Sequence, residues 1–121
     1  MKKILIIDDD PDTIGYLESL FVNAGYATCA AYNGAEGLEK VRSEKPDLIT
    51  LDMDMPLKGG TMFFVGLRKE SDAKHIPVIV ISGVGPRPPS LTHDIPTVTK
   101  PIDREHLLSL VAERVAQGTR P

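Results

Sequence analysis

Four short apolar runs each end in a residue able to do metal or phosphoryl chemistry. Ile4-Leu5-Ile6-Ile7 leads into Asp8-Asp9-Asp10-Pro11, Leu48-Ile49-Thr50-Leu51 into Asp52, Val78-Ile79-Val80-Ile81 into Ser82-Gly83, and Thr97-Val98-Thr99 into Lys100-Pro101. As parallel strands, these runs deliver an acid pair, an isolated aspartate, a hydroxyl and a lysine to one edge of one sheet. Open α/β sheets bind their ligands at that edge. Together the groups can hold a divalent cation and a phosphoryl group. Adjacent carboxylates near a third one repel, which raises their pKa values unless a cation offsets the charge. A small, hard, water-retaining ion suits such an oxygen-only site, so Mg²⁺ or Mn²⁺ is favoured over zinc.

The elements that must position these groups alternate strand and helix. Residues 3 to 7 form a continuous apolar run, as in a parallel strand buried on both faces. Pro11 suits a first helical position, where its missing N–H costs nothing. Ile14, Leu17, Leu20, Phe21 and Ala24 then recur at helical spacing until Gly25 stops the helix. A short second strand covers 27 to 31. Asn33 with Glu36 reads as a capping-box variant that opens a helix over roughly 34 to 44, ending before Pro46. Strands three and four are predicted at 47 to 51 and 77 to 81. The helix between them carries Met62, Phe63, Val65, Gly66 and Leu67, with a charged stretch after it. A last helix starts near Asp103, presents Leu107, Leu108, Leu110, Val111 and Val115, and stops at Gly118. Right-handed crossovers turn this alternation into a doubly wound parallel sheet.

The order of the marks resembles the receiver domain of two-component response regulators over almost the whole chain. The family has an acid pair after the first strand, a phosphoacceptor Asp after the third, Ser or Thr after the fourth and Lys-Pro after the fifth. Here they read Asp8-Asp9, Asp52, Ser82 and Lys100-Pro101, and Met55-Pro56 and Gly60 follow the acceptor as in the family's loop. The resemblance implies a flavodoxin-like sheet of five strands in the order 2-1-3-4-5, which brings Asp8, Asp9 and Asp52 together at the switch point. It implies Asp52 as nucleophile and phosphorylation site. Asp9 and Asp52 would ligate Mg²⁺ directly, the backbone carbonyl of Asp54 would be a third ligand, and Asp8 would hold the metal through water. Ser82 would donate its hydroxyl and Lys100 its charge to the phosphoryl oxygens, with Pro101 in a cis bond. The donor would be a histidine kinase or a histidine phosphotransfer protein, and a downstream protein would read the signal.

Bland alternatives exist for each mark. Asp52 reads also as a loop cap, Asp8 to Asp10 as an acidic helix start favoured by the macrodipole, Ser82 as a turn residue, and Lys100 as a surface lysine. Asp10 fits the cap better than a ligand role. Two departures from the family stand out. Residues 83 to 90 hold three prolines and two glycines, which a helix interior does not tolerate, so the family's fourth helix is expected to be missing or reduced to a turn near Ser90 to His93. Thr97 stands where the family often has an aromatic switch ring. Asp54 and Val84 occupy the positions that tune phosphoryl hydrolysis in the family.

Length and composition are those of one domain. With 121 residues the chain can bury one modest core, and a single receiver domain over 1–121 without an output domain is expected. A net charge of -3 offers no basic footprint for nucleic acid. No apolar stretch approaches the roughly 18 residues of a membrane span, and no signal-peptide pattern opens the chain, so a cytoplasmic, membrane-free signalling domain is expected. A monomer or weak dimer is expected, and no enzyme beyond its own phosphorylation and slow dephosphorylation. Cys29 reads as a small core residue, and His75, His93 and His106 show no metal-ligand spacing. A haloacid-dehalogenase-like hydrolase shares the Asp52-Met53-Asp54 pattern but places its nucleophile on the first strand. A flavin binder is disfavoured because three aspartates would repel the phosphate its loop must cradle. The remaining alternative is a receiver-like interaction module that works without phosphorylation.

Overall fold

Four consecutive aliphatic side chains in Lys3–Ile7 (β1) leave no polar face for water, so this strand needs cover on both sides. The computed structural model describes residues 1–52, 59–69, 75–82 and 97–118, and in it Ile4 to Ile7 are all buried. The chain continues through α1 (Pro11–Asn23), β2 (Ala27–Ala31), α2 (Gly34–Glu44), β3 (Leu48–Asp52), α3 (Gly59–Arg68), β4 (Val78–Ser82), β5 (Thr97–Thr99) and α4 (Arg104–Gly118). All strand pairs are parallel, in the order β2-β1-β3-β4-β5. This is the expected doubly wound five-stranded sheet.

Because strand side chains alternate between faces, the apolar runs feed two separate cores. Ile4, Ile6, Ile79, Ile81 and Val98 meet α1 and α4 through Leu17, Phe21, Leu107 and Val111. Leu5, Ile7, Ile49, Leu51 and Val80 meet α2 and α3 through Val41, Phe63 and Leu67. Each helix therefore contributes one stripe, as its periodicity predicts.

Local chemistry sets the helix ends. The Asp10 carboxylate accepts from the Asp12 N–H at 3.0 Å and the Thr13 hydroxyl at 2.9 Å, with Pro11 opening α1. Gly25, at φ 97°, takes the left-handed conformation that ends it. The Asn33 side chain caps α2 through the Glu36 N–H at 2.9 Å. Glu36 returns its carboxylate to the N–H of Tyr32 at 2.8 Å, one residue further back than in a regular capping box. Asp103 caps α4 through the His106 N–H.

Two boundaries differ from the predicted ones. Strands three and four each sit one residue later than 47 to 51 and 77 to 81. Asp47 instead spends its carboxylate on the Lys3 N–H at 2.9 Å, while Asp52 pairs with Ile81 and Ser82 with Thr99 in the ladder. Both polar residues are thus held by the sheet itself. Four helices lie among the described residues. The predicted loss of a helix between β4 and β5 falls on 83–96, outside them.

The helices α2 and α3 interlock through glycines. A Cβ at Gly37 would stand 2.7 Å from Ile7 Cδ1 and 3.0 Å from the Phe63 ring, and one at Gly66 would stand 2.8 Å from Leu38 Cδ1. Ile7 and Phe63 are almost fully buried and have nowhere to retreat. Gly37→Ala should therefore destabilise the fold by about 1 kcal/mol, the overpacking cost of about 1–3 outweighing the helix propensity gain of about 1. A urea midpoint that rises in the variant would contradict this.

Candidate functional site

The sheet order puts the ends of β1 and β3 side by side, and three carboxylates gather there. Carboxylate oxygens of Asp8, Asp9 and Asp52 all lie within 4.8 Å of one another. Asp8 and Asp52 are 2% and 3% exposed, whereas Asp9 faces solvent. An octahedral Mg²⁺ with bonds of ~2.1 Å has ligand oxygens at most about 4.2 Å apart. Every donor is the hard oxygen such an ion prefers, and a spread of up to 4.8 Å leaves room for one of the three carboxylates to reach it through water, so the residues fit the ion.

Asp8 is perturbed by its buried position. Burial pushes its carboxyl up to about 6, and the charge of Asp52 pushes the same way. A bond from the Asp10 N–H at 2.9 Å and the charge of Lys100 act against the rise. The backbone N–H of Asp8 is tied to the Ala31 carbonyl at 3.1 Å, so the residue is anchored to β2 as well as to β1.

Lys100 reaches into the same space from β5. Its Nζ lies 3.5 Å from Asp52 Oδ1, a loose ion pair between a one-third exposed ammonium and a buried carboxylate. The backbone N–H of Lys100 donates to the Ser82 carbonyl at 3.0 Å, extending the ladder past β5 and fixing the two residues against each other. The Lys100-Pro101 peptide is cis, as the sequence resemblance implied. Beside Lys100, a cleft of about 460 Å³ is lined by Asp12, Thr13, Tyr16, Lys100, Pro101 and Ile102. Neither Tyr16 nor this cleft was legible as part of the site, because a helical Tyr three residues into an amphipathic pattern carries no signal of what stands opposite it.

The structure thus brings Asp8, Asp9, Asp52, Ser82 and Lys100 to one sheet edge. Asp54, Gly83 and Val84 lie outside the described residues, as does His93. An Asp, Asp, Asp, Ser and Lys set on a sheet of this strand order agrees with the family model of the response regulator receiver domain, which matches residues 4–112. The chain belongs to this family. Rrf1 of Nitratidesulfovibrio vulgaris is 32% identical over 114 residues, 94% of this chain and 83% of the relative. PilH of Pseudomonas aeruginosa is 31% identical, covering 92% of this chain and 95% of the relative. The signal receiver domain of a histidine kinase from Syntrophus aciditrophicus superposes with a TM-score of 0.87 at 26% identity, covering 100% of this chain and 95% of that one. Receiver domains are signalling domains that interact with histidine kinases or phosphotransfer proteins. No helix among the described residues is long and apolar enough to cross a membrane.

Other candidates stay apart from the site. Cys29 is half-buried on the edge strand β2, and burial pushes its thiol up, away from the reactive thiolate. His75 and His106 are exposed, and among the described residues neither joins the acid triad. Thr97 carries a buried hydroxyl that has no hydrogen-bond partner among the described residues.

Proposed function

We propose that this receiver domain accepts a phosphoryl group on Asp52 from the phosphohistidine of a kinase or phosphotransfer protein. The observation that carries the reading is a nucleophilic carboxylate held between two further carboxylates, within 4.8 Å, and an ammonium at 3.5 Å. In the transfer, an Asp52 oxygen attacks phosphorus while the P–N bond to imidazole breaks. The electron pair leaves with the imidazole nitrogen, which takes up a proton. Asp9 and Asp52 would hold Mg²⁺ directly, Asp8 through water, and the Asp54 carbonyl would complete the protein ligands. The ion, when bound, neutralises charge on the transferring oxygens. Lys100 would lend its charge to the same oxygens, which requires it to exchange its loose pairing with Asp52 for the phosphoryl group. Ser82, fixed to Lys100 through the backbone, supplies a hydroxyl donor beside it. The 121 residues act as one domain in this role, with conformational change as the output.

Lys100 and Asp9 should separate cleanly by experiment. Lys100→Ala should slow phosphorylation by a small phosphodonor roughly 10- to 100-fold, the usual cost of one lost charge-stabilising group, and leave Mg²⁺ affinity intact. Asp9→Ala should abolish Mg²⁺ binding, followed by titration of an NMR or fluorescence signal. The reverse pattern would show that the two residues have been given each other's roles. The second reading, a module that binds without phosphorylation, is favoured by Thr97, which offers no ring to sense Ser82. Partner binding unchanged by beryllofluoride would mark that reading as the right one.

A further inference from the structure

A helix cap needs a single acceptor, yet Asp10 engages every polar group it has. One carboxylate oxygen accepts from the Asp12 N–H at 3.0 Å and the other from the Thr13 hydroxyl at 2.9 Å. Its carbonyl accepts from the Ile14 N–H at 3.1 Å, and its own N–H donates to Asp8 Oδ1 at 2.9 Å. That last bond leaves the helix and reaches the acid triad. Asp10 therefore joins two parts of the site. On one side is the first turn of α1, which buried Ile14 and Leu17 pin into the core with Ile4 and Ile6. On the other is the sealed carboxylate of Asp8, whose Oδ1 takes this N–H.

Capping alone does not account for the residue type. Ser caps a helix about as well as Asp, and a further carboxylate beside three crowded ones only adds repulsion. What Asp has over Ser is a fork of two acceptor oxygens, one for the backbone and one for the Thr13 hydroxyl, which fixes the side chain's rotation. A hydrogen-bond partner of a metal ligand orients it only when that partner is itself held in place. We propose that Asp10 is a positioning residue: its forked side chain locks the β1–α1 turn onto the first turn of α1, and the locked Asp10 N–H holds the Asp8 carboxylate in the orientation the metal site requires. The role rests on the reading of the acid triad as a Mg²⁺ site. Thr13 is the second member of the device, and it also lines the cleft beside Lys100. The metal side and the lysine side of the site thus share one anchored turn.

Titration of the full chain with Mg²⁺ alone, followed by NMR, tests the proposal, with amide hydrogen exchange of the Asp10 N–H read in chelator. Asp10→Ser keeps a cap but loses the fork, and Thr13→Val removes the fork's second partner. Each should weaken Mg²⁺ binding by about tenfold, the lower end of the cost of losing a ligand's hydrogen-bonded support. Each should also speed exchange of the Asp10 N–H by about tenfold, since the turn opens more often. Asp10→Asn keeps the fork, its amide oxygen taking the Asp12 N–H and its amide nitrogen donating to the Thr13 oxygen, and Thr13→Ser keeps the hydroxyl. Both should bind Mg²⁺ within about threefold of wild type. A residue that merely caps α1 gives another pattern: Asp10→Ser and Asp10→Asn would bind Mg²⁺ alike, because both cap and both remove the same charge. That result overturns the proposal, as does wild-type affinity in Thr13→Val or an Asp10 N–H that exchanges no faster in either variant, and all three leave the metal reading standing. A wild-type chain that binds no Mg²⁺ overturns the metal reading, and the positioning role with it.

Discussion

Asp52→Asn should end phosphoryl acceptance completely. The amide matches the carboxylate in shape, so the last residue of β3 keeps its place in the ladder beside Ile81, but an amide oxygen does not attack phosphorus at a useful rate. The fold should survive and gain slightly, because one of three crowded negative charges is gone. Intact-mass measurement after treatment with phosphoramidate and Mg²⁺ should find one hydroxylamine-sensitive phosphoryl group on the wild type and none on the variant. Chelating the metal should also remove the wild-type signal. Modification of the variant, or modification that persists in chelator, would rule out Asp52 as the acceptor.

Asp8→Asn should stabilise the metal-free protein at neutral pH by roughly 1–3 kcal/mol. The folded chain holds the Asp8 proton up to about pH 6, against an ordinary value of 3.8. Between those values the folded state binds more protons than the unfolded one, so stability is greatest below the lower value and falls as pH rises through about 6. Above that the whole cost is borne, up to about 3 kcal/mol for a gap of about two pH units. Mg²⁺ reverses the dependence, since it needs the ionised carboxylates: its stabilising effect should be full at pH 7 and fade as pH falls through 6. In urea titrations from pH 4 to 8 with chelator, the wild-type midpoint should decline with pH and that of Asp8→Asn should stay flatter and end higher. Added Mg²⁺ should raise the wild type more than the variant. A variant less stable than wild type at pH 7 without metal would refute the assignment of strain to Asp8.

Much of this site was legible before the fold was known, and the reason lies in the strands. Buried parallel strands read as short runs of aliphatic and β-branched residues, so the charged or small polar residue that ends each run marks the sheet edge. Asp8, Asp52, Ser82 and Lys100 all announce themselves in that way. Helix starts were equally plain at Pro11 and Asn33, where capping is local chemistry. Strand ends were legible only to within one residue, because Asp52 and Ser82 keep extended backbone through ladder bonds to neighbours that are distant in sequence.

Distances and burial belong to another level. Nothing local distinguishes Asp8 from Asp9, which are adjacent and identical, yet one is sealed between β2 and β3 and the other faces water. The 3.5 Å approach of Lys100 to Asp52 joins residues 48 apart in the chain, and the Asp8 carboxyl rises because segments distant in sequence bury it. Gly37 and Gly66 look like simple weak points in helical patterns until Phe63 and Leu38 are found filling them. Exposed Met62 and Val65 match the periodicity of core residues, and only the sheet's position decides that Phe63 faces inward instead. Sequence alone thus determines which groups reach the edge and in what order, since that follows from local pattern and chain direction. Their protonation, their spacing and the surface left uncovered are decided by tertiary structure, because each depends on the low-dielectric, close-packed contact of segments that the chain itself keeps far apart.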